Sequence, residues 1–104
     1  MVNDDLITPF SIAMDALSTL GNQNRWKIIE SIRHENKATF TELKNITQMK
    51  GTALQFHIKK LIDARILIRT TERGPYKLSI IGIEAVRTFE VMQKAINKGI
   101  VNVE

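Results

Sequence analysis

The sequence predicts a mainly α fold carrying one small β-hairpin (α+β), and three observations predict it. Apolar residues recur at i, i+3, i+4 spacing over most of the 104 residues. That period gives way to two short β-prone runs, 66–71 and 76–79, around the turn residues Glu72-Arg73-Gly74-Pro75. Between Ala38 and Leu67 lie a short capped helix, a break of about three residues and a second helix with a basic outer face. That order is the sequence form of a helix-turn-helix.

Each element has its own signal. Pro9 suits an early helical position, and Phe10, Ala13, Met14, Leu17 and Leu20 share one stripe up to Gly21. Asn22 caps a second helix through His34, with Trp26, Ile28, Ile29 and Ile32 turned inward. After the loop Glu35-Asn36-Lys37, Thr39 and Glu42 form a capping box for a helix to about Thr47, with Leu43 and Ile46 as its apolar positions. Gly51 is read as the turn residue and Thr52 as the cap of the next helix, which runs to about Ala64. The hairpin follows. Ser79 then caps a final helix from Ile80 to Lys98, closed by Gly99, with Ala85, Val86, Phe89, Met92 and Ile96 in one row.

Length and 43% hydrophobic content allow one domain with one modest core. The absence of cysteine excludes disulfides and thiolate metal sites, and fits a reducing, cytoplasmic setting. Asp4 and Asp5 stand where a signal peptide would be basic, and no apolar run approaches the ~20 residues that span a bilayer. No membrane association is expected.

The net charge of +4 is unevenly spread. Between Lys44 and Lys77 eight basic residues face only Asp63 and Glu72, a local excess of six; the remainder has seven basic and nine acidic residues. A positive centre with slightly acidic ends fits a localised anionic partner, although a solvated lysine-rich face has the same composition.

On a wheel of 100° per residue, Leu54, Ile58, Leu61 and Ile62 face the core. Thr52, Ala53, Phe56, Lys59, Lys60 and Asp63 lie opposite, with Gln55 at the flank. This is the split a helix needs to lie in a DNA major groove. Thr52 and Ala53 suit a phosphate or a thymine methyl, Gln55 suits a bidentate bond to adenine, and Lys59 and Lys60 suit phosphate. Phe56 is the unusual residue, to be satisfied by a thymine methyl or by packing on the wing base or another subunit. His57, at the edge of the core stripe, is read as a packed, hydrogen-bonded histidine rather than a sensor. Arg69 and Arg73 can reach phosphate or a narrow minor groove, or else stud a turn without a ligand.

The runs LGNQNRWKIIESI, TFTELKNITQMKGTALQFHIKKLIDARIL and GPYKLSIIGIEAV, in this order, resemble winged helix-turn-helix transcriptional regulators of the ArsR/MarR type from archaea and bacteria. The resemblance covers Leu20 to Ala95. It implies a homodimer on a short inverted repeat of double-stranded DNA, with recognition helix 52–64 in the major groove and wing 69–76 on the backbone or minor groove. Base-reading positions fall on Thr52, Ala53, Gln55 and Phe56, phosphate contacts on Lys59 and Lys60, and the wing arginine on Arg73. Arg25 matches an arginine that serves structure or a backbone contact. Two departures stand out. Arg65 replaces the glycine that often ends the recognition helix, which questions the left-handed cap there. Cysteine ligands of metal-sensing relatives are missing, and His34 and His57 have no converging carboxylates, so no metal or other cofactor is expected.

Residues 1–104 are thus expected to form one winged-helix DNA-binding domain, with 39–64 as helix-turn-helix and 66–79 as wing. The N- and C-terminal helices, 9–20 and 80–98, are expected to dimerise through Phe10, Met14, Leu17, Val86, Phe89, Met92 and Ile96, with the tail Ile100-Val101-Asn102-Val103 either fraying or extending that contact. No phosphate loop, catalytic triad or placed carboxylate pair suggests an enzyme. The competing readings are a protein–protein interaction module, or a chromatin-type protein that coats DNA without sequence preference. No effector motif is visible.

Overall fold

The computed structural model describes the backbone of residues 7–102 and the side chains of residues 7–99. Asp4, Asp5, Val103 and the side chains of Ile100, Val101 and Asn102 lie outside the described residues.

The described residues form α1 (Pro9–Leu20), α2 (Gln23–Glu35), α3 (Phe40–Thr47), α4 (Gly51–Asp63), the strands β1 (Leu67–Arg69) and β2 (Tyr76–Leu78), and α5 (Ile80–Asn102). The strands pair antiparallel in the register Leu67 with Leu78, Ile68 with Lys77 and Arg69 with Tyr76. This is a winged helix-turn-helix: a trihelical core of α2, α3 and α4, a hairpin wing, and α1 packed against α5. None of these helices is long and apolar enough to cross a membrane.

Local chemistry starts and stops the helices. Thr8 and Ser11 form a reciprocal capping box at α1, Asn22 accepts the Arg25 N–H at α2, and Thr39 and Glu42 close the expected box at α3. α2 runs to Glu35, one residue beyond the expected His34, and Asn36 caps it in the left-handed region. Buried aliphatics then lock the elements together: Leu20 from α1, Ile28, Ile29 and Ile32 from α2, Leu43 from α3, Leu54, Ile58 and Leu61 from α4, and Val86 from α5. Arg33 of α2 adds an ion pair to Glu90 of α5. A main-chain bridge from Ala38, between α2 and α3, pairs with Tyr76 and moors the wing to the helical core.

Four expectations are corrected. α4 begins at Gly51, not after it, and its N-cap is Lys50 with no side-chain bond; Thr52 is the second helical residue. The left-handed turn residue is Gln48, φ 61°, because its N–H closes α3 onto the Lys44 carbonyl. Ile46 is exposed, since α3 buries only the face that carries Leu43. Gly99 does not end α5, which continues to Asn102; one glycine weakens a helix by only about 1 kcal/mol relative to alanine, and no proline follows.

Candidate nucleic-acid interface

Burial of Leu54, Ile58 and Leu61, each 3% exposed or less, fixes the rotation of α4 about its axis. Thr52, Ala53, Gln55, Phe56, Lys59 and Lys60 are consequently all exposed. Phe56 lies about opposite the centre of the buried stripe and is 55% exposed. Two polar neighbours on the same helix meet its ring. The Lys60 ammonium sits 5.4 Å from the ring centroid, and the His57 ring meets it at 73° with centroids 5.3 Å apart. Lys59 pairs with Asp63 at 2.9 Å, one turn on, and both groups are largely in water. Such a pair contributes only a few tenths of a kcal/mol, so Lys59 can exchange it for a phosphate.

The next turn of α4 is held from behind. Arg25 Nε donates to the Thr19 carbonyl at 2.7 Å, and its Nη1 lies 3.3 Å from His57 Nδ1. A guanidinium only donates, so Nδ1 is the acceptor and the neutral ring carries its proton on Nε2. Partial burial, and then the positive charge of Arg25, hold the His57 pKa below its ordinary 6.5. Arg25 thereby connects the end of α1, the first turn of α2 and the middle of α4. Of the two roles the resemblance implies, structure or a backbone contact, these bonds supply the first.

Across from α4 the wing forms the second wall. Gln55, Lys59, Asp63, Arg69, Glu72 and Arg73 line an open cleft of about 1150 Å³ floored by Phe40, Ile58, Ile62 and Tyr76. Arg73 stands exposed at the wing tip. Arg69, also exposed, is engaged within the wing itself. Its guanidinium donates to the Glu72 carbonyl at 2.6 Å and the Tyr76 hydroxyl at 3.0 Å, and lies 5.2 Å from the Tyr76 ring centroid. These bonds brace the hairpin, so Arg69 shapes the wing before it can touch anything else.

The structure thus brings Gln55, Lys59, Arg69 and Arg73 to one cleft, and carries Thr52, Phe56 and Lys60 on the outward side of α4. Sequence reasoning did not find the Arg25–His57 contact or the role of Tyr76. Both pair residues far apart in sequence or across strands, and no local pattern encodes them. Of the expected dimer residues, Phe10, Met14, Met92 and Ile96 are 72%, 56%, 53% and 52% exposed, and Leu17 and Phe89 are half-buried. Val86 is a correction: at 3% exposure it packs inside the chain's own core, because the α5 row turns inward at Ala85 and Val86. No group of three metal-ligating side chains converges among the described residues.

Comparison with known proteins agrees with this architecture. The chain is similar to the structure of a transcriptional regulator homologue from Pyrococcus horikoshii, with TM-score 0.69 and 21% identity over 88% of this chain and 95% of that one. It is similar to a homodimeric winged helix-turn-helix DNA-binding domain from Mycobacterium bovis, described as a possible ArsR-family regulator, with TM-score 0.67 and 14% identity over 100% and 94%. An ArsR-like transcriptional regulator from Rhodococcus follows, with TM-score 0.63 and 13% identity over 93% of each chain. At these identities the likeness is one of fold. No curated protein matches the chain. A family model described as Domain of unknown function (DUF7347) matches residues 13–89. With that match across most of its length and a winged helix-turn-helix fold, the chain belongs to the DUF7347 family.

Proposed function

We propose that the chain is a transcription regulator of ArsR/MarR-like type that binds double-stranded DNA sequence-specifically as a homodimer. The observation that carries this reading is the division of α4 into a buried aliphatic back and an exposed front of Thr52, Ala53, Gln55, Phe56, Lys59 and Lys60. A helix seated this firmly can enter a major groove without rearranging, and its front has the small, amide and cationic groups that base edges and phosphates accept. Arg73 follows the backbone beside it, and Arg69 keeps the wing in the shape that lets it do so. The relatives of this fold are described as transcriptional regulators, one of them as a homodimeric DNA-binding domain, and that supports a binding protein rather than an enzyme.

A homodimer answers two needs. One helix offers too few contacts for specificity, whereas two recognition helices read half-sites about 10 bp apart. The exposed apolar side chains of α1 and α5, Phe10, Met14, Met92 and Ile96, supply a surface for the second copy.

Selection of binding sites from a randomised duplex pool, followed by salt titration of the winner, tests the proposal. The expected result is an enriched inverted repeat. Salt-sensitive binding without enrichment would instead indicate a coating protein, and no binding at low salt an interaction module. On the enriched site, Gln55→Ala should reduce discrimination against altered A·T pairs. Lys59→Ala or Lys60→Ala should weaken binding to all sequences alike and flatten the salt slope by ~1 for each phosphate no longer neutralised. Equal losses for Gln55→Ala on selected and random DNA would remove its base-reading role.

A further inference from the structure

We propose that Phe56 reads the C5-methyl group of a pyrimidine in the major groove, so that the site is defined in part by a methyl and not only by hydrogen bonds. The proposal rests on the DNA-binding reading above and names the group that the centre of α4 recognises.

Phe56 lies about opposite the buried stripe of α4, and it does not use the wing as a shelter: it is 55% exposed and does not line the cleft between α4 and the wing. It has no hydrogen-bonding atom. The major-groove edge of every base carries donors or acceptors, and the one alkyl group exposed there is the C5-methyl of thymine, which 5-methylcytosine also carries. A phenyl ring pressed onto any other edge leaves polar atoms desolvated and unpaired, so the ring both rewards the methyl and penalises its absence.

The surroundings favour DNA over a protein partner. The outward neighbours of Phe56 on α4 are Thr52, Ala53, Lys59 and Lys60, which makes it a single large apolar ring among small, polar and cationic groups. The central patch of a protein interface is depleted in such charges. Lys60 over the ring and the His57 ring beside it limit where the phenyl can swing, and the rest of it stays exposed. Placing an ammonium beside the reading group also suits a surface flanked by phosphates.

The test uses the duplex enriched by selection, remade with each thymine in turn replaced by deoxyuracil, which lacks only the methyl. For the unaltered protein, one thymine per half-site should be sensitive, with affinity falling about fourfold on loss of that methyl. In Phe56→Ala the same exchange should have almost no effect, and in Phe56→Leu part of the sensitivity should remain. At the sensitive position, 5-methylcytosine should bind about fourfold more tightly than cytosine in the unaltered protein alone. Which of thymine and 5-methylcytosine binds better identifies the methyl's natural source. Uracil exchange that affects no position, or affects Phe56→Ala equally, would overturn the proposal while leaving DNA binding intact. A Phe56→Ala variant that changes oligomeric state in sedimentation would overturn it in favour of a subunit contact. Failure of the unaltered protein to bind any duplex would instead remove the DNA-binding reading itself, and this proposal with it.

Discussion

Arg65 holds φ at 67°, a region that glycine enters freely and that costs other residues roughly 1–2 kcal/mol. The helix end imposes it. The Ile66 N–H bonds to the Leu61 carbonyl and the Arg65 N–H to the Ile62 carbonyl, a Schellman pair that satisfies the last carbonyls of α4 while Ile66 and Leu61 stay buried. The left-handed cap questioned by the sequence is therefore present, with arginine in the place of glycine. Arg65→Gly should stabilise the chain by up to about 1 kcal/mol, the relief of strain being offset in part by the greater freedom of glycine in the unfolded chain. Urea unfolding at pH 7.5 reads this directly, and a lower midpoint would show that the arginine side chain makes a stabilising contact of its own. His57 makes a second residue-scale prediction. Its pKa lies below 6.5 in the folded protein, first through burial and then through Arg25, so the unfolded chain takes up the proton more readily. The contribution is complete above about pH 6.5 and is lost as pH falls through the lower folded value. His57→Asn keeps an acceptor near Nδ1 without titrating. The urea midpoint of this variant should fall less between pH 7.5 and 5.5 than that of the unaltered protein, and parallel falls would remove His57 as the cause.

At the scale of elements, the junction of α4, the wing and α5 is built on direct backbone contact. Ser79 donates its N–H to the Ile66 carbonyl at 2.9 Å and its hydroxyl to the Arg65 carbonyl, while its oxygen accepts the Gly82 N–H at 2.9 Å. A Cβ on Gly82 would stand 2.3 Å from the Ile66 carbonyl oxygen, so α5 can reach the wing only because residue 82 has no side chain. Gly82→Ala should destabilise by about 1–2 kcal/mol despite alanine's better helix propensity, because α5 must move off a backbone atom. A thermal midpoint that rises instead would mean that the junction yields easily. This junction also shows how much could be read from the sequence. The run YKLSIIG announced a strand, a serine cap and a helix, and the caps at Asn22 and Thr39 and the aliphatic stripes of α2 and α4 were equally plain, since each is written within a few residues. The outward face of α4 followed from its stripe. What was not legible depends on partners distant in sequence: why residue 82 is glycine, why Arg69 turns to Tyr76, why Arg65 tolerates a left-handed φ, and how Arg25 reaches His57. The start of α4 was misplaced for the opposite reason. Gly51 and Thr52 carry strong local signals, and the turn was instead built around Gln48.

For the whole molecule, the decisive feature is the C-terminal half of α5. From Val91 to Lys98 every residue is exposed, and Val91, Met92 and Ile96 are 62%, 53% and 52% accessible. A helical segment this short has little stability of its own in water, where nucleation is unfavourable and tertiary packing supplies most of the holding energy. A second copy laid against α1 and α5 would supply that packing and cover Phe10 and Met14 as well, which are otherwise among the most exposed apolar groups on α1. Met92→Glu combined with Ile96→Glu keeps good helix formers while placing like charges at the proposed interface. The double variant should sediment as a monomer where the unaltered protein sediments as a dimer. Both substituted side chains are exposed, so the core and α4 are left as they are. The monomer should still bind one half-site, with a salt slope about half that of the dimer on the inverted repeat, because each protomer releases only its own phosphate counterions. A double variant that stays dimeric would move the interface away from α5. A monomer whose salt slope on the inverted repeat is unchanged would show that the two helices do not bind DNA together, and the protein would have to find any specificity in a single α4 and wing.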